Sequence, residues 1–205
     1  MKLEINLKII LIGLLFFVLK QIDIYIIFIV FIILHEMAHL VVGRICGLKP
    51  KVFAINPLGV SLEFYIYKSK KSVRKIITYF AGPIFNLLIA LILLLLSFDE
   101  ELKMKIVYTN LLLAIFNLIP IIPLDGGKIL KEILVKYWGN KESTLFMNKL
   151  TKVILCFMTI FYSIAILKLK NFAIFLLILY LWYLKIIEDK KVRLMIKAYE
   201  VVEKK

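Results

Sequence analysis

Residues 22–42 read IDIYIIFIVFIILHEMAHLVV, and this stretch places His35, Glu36 and His39 inside an apolar run. A run of this length and composition matches a helix that crosses the hydrocarbon core of a bilayer. Residues four apart lie on the same face of a helix, so the two imidazoles are expected side by side. The stretch therefore predicts a membrane-spanning helix with a cluster of ionisable side chains near one end.

The composition of the whole chain points the same way. Of the 205 residues, 62% are hydrophobic, and the mean hydropathy is +0.94. Soluble domains are closer to half apolar. The net charge of +14 is compatible with nucleic-acid binding, but the basic residues lie between apolar runs. We therefore attribute the charge to membrane orientation and expect no nucleic-acid partner. Two cysteines, Cys46 and Cys156, do not make a disulfide framework.

The apolar runs predict an all-α polytopic membrane protein with six transmembrane helices. The predicted spans are Leu3–Leu19, Ile22–Val42, Ile76–Phe98, Met104–Ile122, Val153–Leu167 and Phe172–Ile187. Pro120 and Pro123 break the end of the fourth span. Residues 1–187 would form one membrane domain, and residues 188–205 a short basic cytoplasmic tail.

The basic residues predict the orientation of these spans. With six spans, 23 of the 28 Lys and Arg residues fall on one side. The other side carries five basic residues and the acidic turn of Asp99, Glu100 and Glu101. Because short cytoplasmic loops are enriched in Lys and Arg, both termini are expected in the cytoplasm of a multi-pass cell-membrane protein.

The segment after the second span differs from the rest of the chain. Asn56-Pro57-Leu58-Gly59 is typical of a turn. The alternation from Val60 to Tyr67 is typical of a strand. A short β-hairpin over residues 52–67 at the membrane interface is one interpretation. An irregular amphipathic loop accounts for the segment equally well.

The pattern His35-Glu36-Met37-Ala38-His39 is the H-E-x-x-H arrangement that chelates one zinc ion through two imidazoles. The glutamate of such a motif acts as general base on water. The alternative is two buried histidines that serve only as hydrogen-bonding groups. Because ionisable residues inside a membrane span are costly and usually functional, we favour one Zn²⁺ per chain.

A catalytic zinc usually has three protein ligands, so a third ligand is needed. The chain has no third histidine. Glu63 and Cys46 are both conceivable. Asp125 is favoured, because it follows two helix-breaking prolines at the end of a span that exits toward the same side as His35 and His39. Taken alone, an aspartate that only terminates a helix would be at least as good a reading.

Three motifs in this order resemble the site-2 protease family of intramembrane zinc metalloproteases. They are the H-E-x-x-H sequence at 35–39, Gly82-Pro83-Ile84-Phe85-Asn86, and the run from Asn117 to Gly127 that contains N-x-x-P-x-x-P-L-D-G. The resemblance covers roughly residues 7–187. It implies that His35, His39 and Asp125 bind zinc, that Glu36 is the catalytic base and that Asn117 helps to position substrate. A bond from Asn117 to the broken helix backbone is an equal alternative for that side chain.

The six-span layout is most similar to the stage IV sporulation protein FB branch of that family. That likeness implies cleavage of a membrane-tethered protein, such as a sporulation sigma-factor precursor, near the cytoplasmic leaflet. The implied partners are that substrate, the lipid bilayer and inhibitory membrane proteins. Two other classes remain open: a zinc carrier without protease activity, and an inactive scaffold that binds precursors. Spans five and six offer few polar residues for a transport path, and the intact Glu36 argues against the scaffold.

Overall fold

The computed structural model describes residues 2–5, 22–48, 50–56, 59–64, 72–97, 99–169 and 172–203. Within these ranges the chain forms five helices and a small sheet. The elements in chain order are β1 (Lys2–Ile5), α1 (Ile22–Ile45), β2 (Pro50–Asn56), β3 (Gly59–Phe64), α2 (Ser72–Leu95), α3 (Glu100–Asn117), α4 (Asp125–Leu169) and α5 (Phe172–Glu203). The chain divides into two compact units, residues 1–118 and 119–205.

The helices of the first unit begin and end at recognisable signals. Leu48 N–H donates to the Gly43 carbonyl and Gly47 N–H to the Arg44 carbonyl, with Gly47 at φ 72°, which is the Schellman arrangement that ends α1. Asp99 Oδ1 accepts from Leu102 N–H at 2.7 Å and caps the start of α3. The end of α1 and the start of α3 thus satisfy terminal backbone groups through local hydrogen bonds.

The first unit packs α2 against both α1 and α3, and its interior is unusually polar. Asn86 and Asn110 are fully buried, whereas Val30, Leu91 and Leu95 are exposed on the outside. A helix bundle in water shows the reverse pattern. Polar side chains inside and apolar side chains outside are what a hydrocarbon environment favours.

The sheet of this unit has the order β1-β2-β3. β2 and β3 are antiparallel, and Asn56 pairs with Gly59. They lie in the segment for which the sequence allows either a hairpin or an irregular loop. β1 pairs with β2 in parallel. The predicted first span is therefore wrong at its beginning: residues 3–5 form an edge strand, because their backbone groups pair with β2. Residues 6–19 of that predicted span lie outside the described residues.

Three helical stretches are long and apolar enough to cross a membrane, among the residues that the structure describes. They are Ile22–Ile45, Ser72–Leu95 and Asp125–Ser163. The first two coincide with the second and third predicted spans. The fourth predicted span is helical to Asn117, and the chain leaves the helix before Pro120 and Pro123, as the prolines indicate. The count of six spans stays a prediction.

The second unit contains longer helices than the sequence suggests. Residues 128–152, expected as a loop, are helical, and Gly139 interrupts α4 with φ 75° and ψ 173°. The predicted tail is also helical through Glu203. Lys185, which is 3% exposed, bonds Asn148 Oδ1 at 2.8 Å and forms an ion pair with Asp189 on the next turn. Neutralising contacts of this kind let a charged stretch remain in a packed helix.

Candidate metal centre

His35 and His39 lie one turn apart on α1, and both are buried, with 1% and 3% of their surfaces exposed. Their rings meet edge to face, with centroids 4.8 Å apart. The Nε2 atoms are 3.1 Å from each other. The predicted helical pairing of the two imidazoles is therefore present.

The other nitrogen of each ring has its own partner on α2. His39 Nδ1 lies 2.6 Å from the backbone carbonyl of Thr78, and His35 Nδ1 lies 2.6 Å from Asn86 Oδ1. A carbonyl can only accept a hydrogen bond, so His39 Nδ1 carries the proton and its Nε2 carries a lone pair. Outer-shell acceptors of this kind orient histidine ligands in metal sites.

The arrangement fits a metal ion. Zn–N bonds are about 2.0–2.1 Å long, so two nitrogens in tetrahedral geometry lie roughly 3.3 Å apart. The observed separation of 3.1 Å between the two Nε2 atoms is close to this value. Two neutral imidazoles held by their Nδ1 protons turn two lone pairs toward each other, and this is an arrangement that can bind one cation.

Gly82 brings α2 directly against these rings. A Cβ atom at this position would lie 2.4 Å from His39 Nε2 and 2.5 Å from His35 Nε2. The following residue, Pro83, lies within the helix and is fully buried. The glycine of the Gly82-Pro83 motif is thus explained by space: no side chain fits between α2 and the metal-binding nitrogens.

Asp125 is the first residue of α4 and is 4% exposed. Its Oδ1 lies 3.2 Å from Lys128 Nζ. The loop before it is held by two bonds, Ile122 N–H to Thr151 Oγ1 at 3.1 Å and Leu124 N–H to the Ile121 carbonyl at 2.8 Å. These contacts fix the backbone that presents the carboxylate.

His35, His39 and Asp125 form a candidate zinc-binding site. Each offers one ligand atom, and these atoms lie within 4.8 Å of one another. Two imidazoles and one carboxylate are a donor set that zinc accepts. Cys46 is half-buried and is not part of this cluster. The side chain of Glu63 lies outside what the structure describes.

Glu36 and Asn117 complete the predicted site residues. Glu36 follows His35 on α1 and is 8% exposed, which makes it a carboxylate beside the metal cluster. Asn117 Nδ2 donates to the Leu113 carbonyl at 3.0 Å, which is the backbone bond weighed as its alternative role. The roles of Glu36 as base and of Asn117 in substrate positioning stay predictions.

Sequence reasoning missed two groups around the histidines. The Thr78 carbonyl was missed because a backbone acceptor has no residue-type signature. Asn110 was missed although it is a polar residue within a predicted span, which is a usable signal. It bonds Asn86 at 2.9 Å and is fully buried.

Comparison with known proteins finds similarity to a family model, to a curated relative and to a solved structure. Residues 24–104 and 100–161 match the model described as Peptidase family M50. A zinc metalloprotease of Methanocaldococcus jannaschii is 34% identical over 145 residues, covering 67% of this chain and 42% of that protein. The solved site-2 protease from Methanocaldococcus jannaschii matches with a TM-score of 0.72 and 25% identity, covering 91% of this chain and 89% of that chain. The chain spans less than half the length of that curated relative.

We expect Gly82→Ala to lower zinc affinity by roughly 100-fold, the upper end of what changes around metal ligands cost. The added methyl would meet both Nε2 atoms well inside contact distance. Competition with a chromophoric chelator on detergent-purified protein measures this. Ile84→Ala, on an exposed part of the same helix, is the control and should bind zinc normally. Unchanged affinity in Gly82→Ala would mean that the rings are not held against α2.

Asp125→Ala should lower the zinc content of the purified protein, since it removes the only carboxylate in the described metal cluster. Glu63→Ala should leave the zinc content near that of the natural chain. Atomic absorption on both variants decides between the two carboxylates. Retention of zinc by Asp125→Ala together with loss from Glu63→Ala would reverse the assignment.

Proposed function

We propose that this chain, which belongs to peptidase family M50, is an intramembrane zinc metalloendopeptidase that cleaves a membrane-tethered protein near the cytoplasmic leaflet. The observation that carries the proposal is the pair of buried imidazoles whose Nε2 atoms lie 3.1 Å apart, with a ligand atom of Asp125 within 4.8 Å. A purely structural histidine pair would not need a buried carboxylate in the same cluster.

His35, His39 and Asp125 would hold the zinc ion, which would supply a Lewis acid for the water and the peptide carbonyl. Glu36 then takes the proton of the attacking water and later passes it to the leaving amine. Glu36 is next to the proposed ligand His35 on α1 and is buried, which supports a role for its carboxylate beside the metal cluster. Peptide hydrolysis is the reaction these groups support.

The substrate must present an extended backbone, because the carbonyls of an intact transmembrane helix are already hydrogen-bonded. β3 lies at one edge of the three-stranded sheet and packs against α1, the helix that carries both histidines. We propose that an unwound substrate segment adds to the sheet beside β3 at the membrane interface, as peptides add to exposed strand edges elsewhere.

The proposed orientation has both termini in the cytoplasm and the metal site near the cytoplasmic leaflet. Lys105 Nζ lies 2.7 Å from Asp23 Oδ2 and 2.8 Å from Glu101 Oε1, so the first turns of α1 and α3 meet. Further along the same helices, Ile32 and Leu113 belong to one buried cluster, so α1 and α3 run in the same direction. This supports the arrangement in which both exit toward the basic side. His35 lies 12 residues beyond Asp23, or roughly 18 Å along the helix.

The identity of the substrate is proposed only by its chemistry, as a membrane-associated protein with a helix that unwinds. A sporulation sigma-factor precursor is the narrower proposal, and it is supported by the six-span layout alone. Inhibitory membrane proteins are proposed as further partners on the same basis.

We expect Glu36→Gln to bind zinc and insert into membranes normally while its rate of substrate cleavage falls by roughly 10²- to 10⁴-fold, the range for loss of a general base. The assay is cleavage of a single-span test protein in detergent, with zinc content measured on the same sample. Cleavage at the natural rate would remove Glu36 from the mechanism. Zinc binding without cleavage even by the unmodified chain would favour a carrier or a scaffold.

The proposed topology is tested by single cysteines. We expect Glu100→Cys to react with an impermeant thiol reagent on intact cells and Ser69→Cys to be protected, in a background without Cys46 and Cys156. Both positions should react once the cells are permeabilised, which is the control. Labelling of position 69 alone in intact cells would invert the topology and place cleavage at the opposite face.

A further inference from the structure

A chain of three hydrogen bonds runs through the interior of the first unit to His35. Asn110 Nδ2 donates to the Ile106 carbonyl at 2.9 Å, and Asn86 Nδ2 donates to Asn110 Oδ1 at 2.9 Å. Asn86 Oδ1 then lies 2.6 Å from His35 Nδ1. Both asparagines are fully buried, and His35 is 1% exposed. Water therefore has little access to the three polar side chains.

The Ile106 carbonyl, at the far end of these three hydrogen bonds, fixes which group donates in each of them. The Ile106 carbonyl can only accept, so Asn110 must turn its amide nitrogen toward it and its oxygen toward Asn86. Asn86 must therefore donate to that oxygen from its own amide nitrogen, so that Asn86 Oδ1 faces His35 Nδ1. Facing an oxygen, His35 Nδ1 must donate. The ring then carries its proton on Nδ1 and a lone pair on Nε2.

The opposite direction would produce a different site. If Asn86 were reversed, its amide nitrogen would face His35 Nδ1, which would have to accept, and the proton of the ring would move to Nε2. That proton would point at His39 Nε2, 3.1 Å away, and form a direct bond between the two imidazoles. The lone pair of His35 Nε2 would no longer be available, and one zinc ligand would be lost.

We call the series of hydrogen bonds from the Ile106 carbonyl through Asn110 and Asn86 the relay. The tautomer of His39 does not depend on a relay, because its acceptor is the backbone carbonyl of Thr78, which cannot be reversed. The acceptor for His35 is a side-chain amide, whose two ends are nearly equal in size. The acceptor for the His39 proton is thus fixed, whereas the acceptor for the His35 proton depends on the orientation of the Asn86 amide.

We propose that Asn110 is a positioning residue: acting through Asn86, it sets the tautomer of His35 and so keeps Nε2 available for zinc. The proposal rests on the proposed zinc site and deepens it. Two neutral amides do this without placing another charge inside the membrane, where an unpaired charge is costly.

The direct test is the tautomer in the zinc-free protein. The chain has two histidines, so a sample labelled with ¹⁵N only at histidine rings shows four nitrogens by NMR. In the natural chain we expect the proton on Nδ1 of both neutral rings. In Asn110→Leu, which removes the fixed end of the relay, the His35 signals should shift toward protonation at Nε2 while the His39 signals stay. Protonation of His35 at Nε2 in the natural chain would overturn the proposal even if no variant folds.

Zinc affinity is the second measurement. We expect Asn110→Leu to weaken binding by roughly 10- to 100-fold, as loss of an outer-shell partner does. Asn110→Thr should recover most of the affinity, because a hydroxyl can donate to the Ile106 carbonyl and accept from Asn86. The neighbouring Thr109 already makes such a bond to the Lys105 carbonyl at 2.8 Å.

Thr109→Val is the matched control, since it removes a backbone bond of the same kind from the same helix but lies outside the relay. Its zinc affinity should equal that of the natural chain. Equal losses in Thr109→Val and Asn110→Leu would reduce the role of Asn110 to helix stability. Absence of zinc binding by the natural chain, with the expected tautomers present, would overturn the proposed function and leave the relay standing.

Discussion

The first unit is organised by the need to satisfy two imidazoles buried in an apolar helix. A polar group left without a partner in such surroundings costs about 1–3 kcal/mol, and an ionised one more. The neighbouring helix α2 meets this need with the Thr78 carbonyl and the Asn86 side chain, and Gly82 lets α2 come close enough to both rings. The polar interior and apolar exterior of the bundle follow from that requirement.

The local parts of this site could be predicted from sequence. The run 22–42 is apolar and long enough to be helical, and the spacing of His35 and His39 places both rings on one face whatever surrounds them. Asp125 was identified through the prolines before it, since irregular backbone at membrane depth tends to line a site. The Thr78 carbonyl could not be predicted, because its role depends on how α2 packs and not on which residue stands there.

The difference between local sequence pattern and the packing of distant segments also explains the errors in the predicted fold. The apolar run predicts that residues 3–5 belong to a span, but their pairing with β2, 50 residues further along the chain, decides their structure. Residues 128–152 and 188–205 lie outside the apolar runs, so the sequence predicts a loop and a tail there. Pairs such as Lys185 with Asp189 are one turn apart, and they allow charged sequence to remain helical. The end of an apolar run is therefore a poor guide to where a helix ends.

Gly139 shows that a glycine can be required by handedness and not by size. Among the described residues, and apart from the adjoining stretch of the helix itself, no atom lies within 4 Å of the position its Cβ would take, so a side chain has room there. Its φ of 75° and ψ of 173° are the mirror image of an extended conformation that ordinary residues adopt readily. The interruption of α4 would thus accept D-alanine introduced by chemical ligation, while L-alanine would be strained at the same point. The site distinguishes the two enantiomers of one methyl group through the backbone alone.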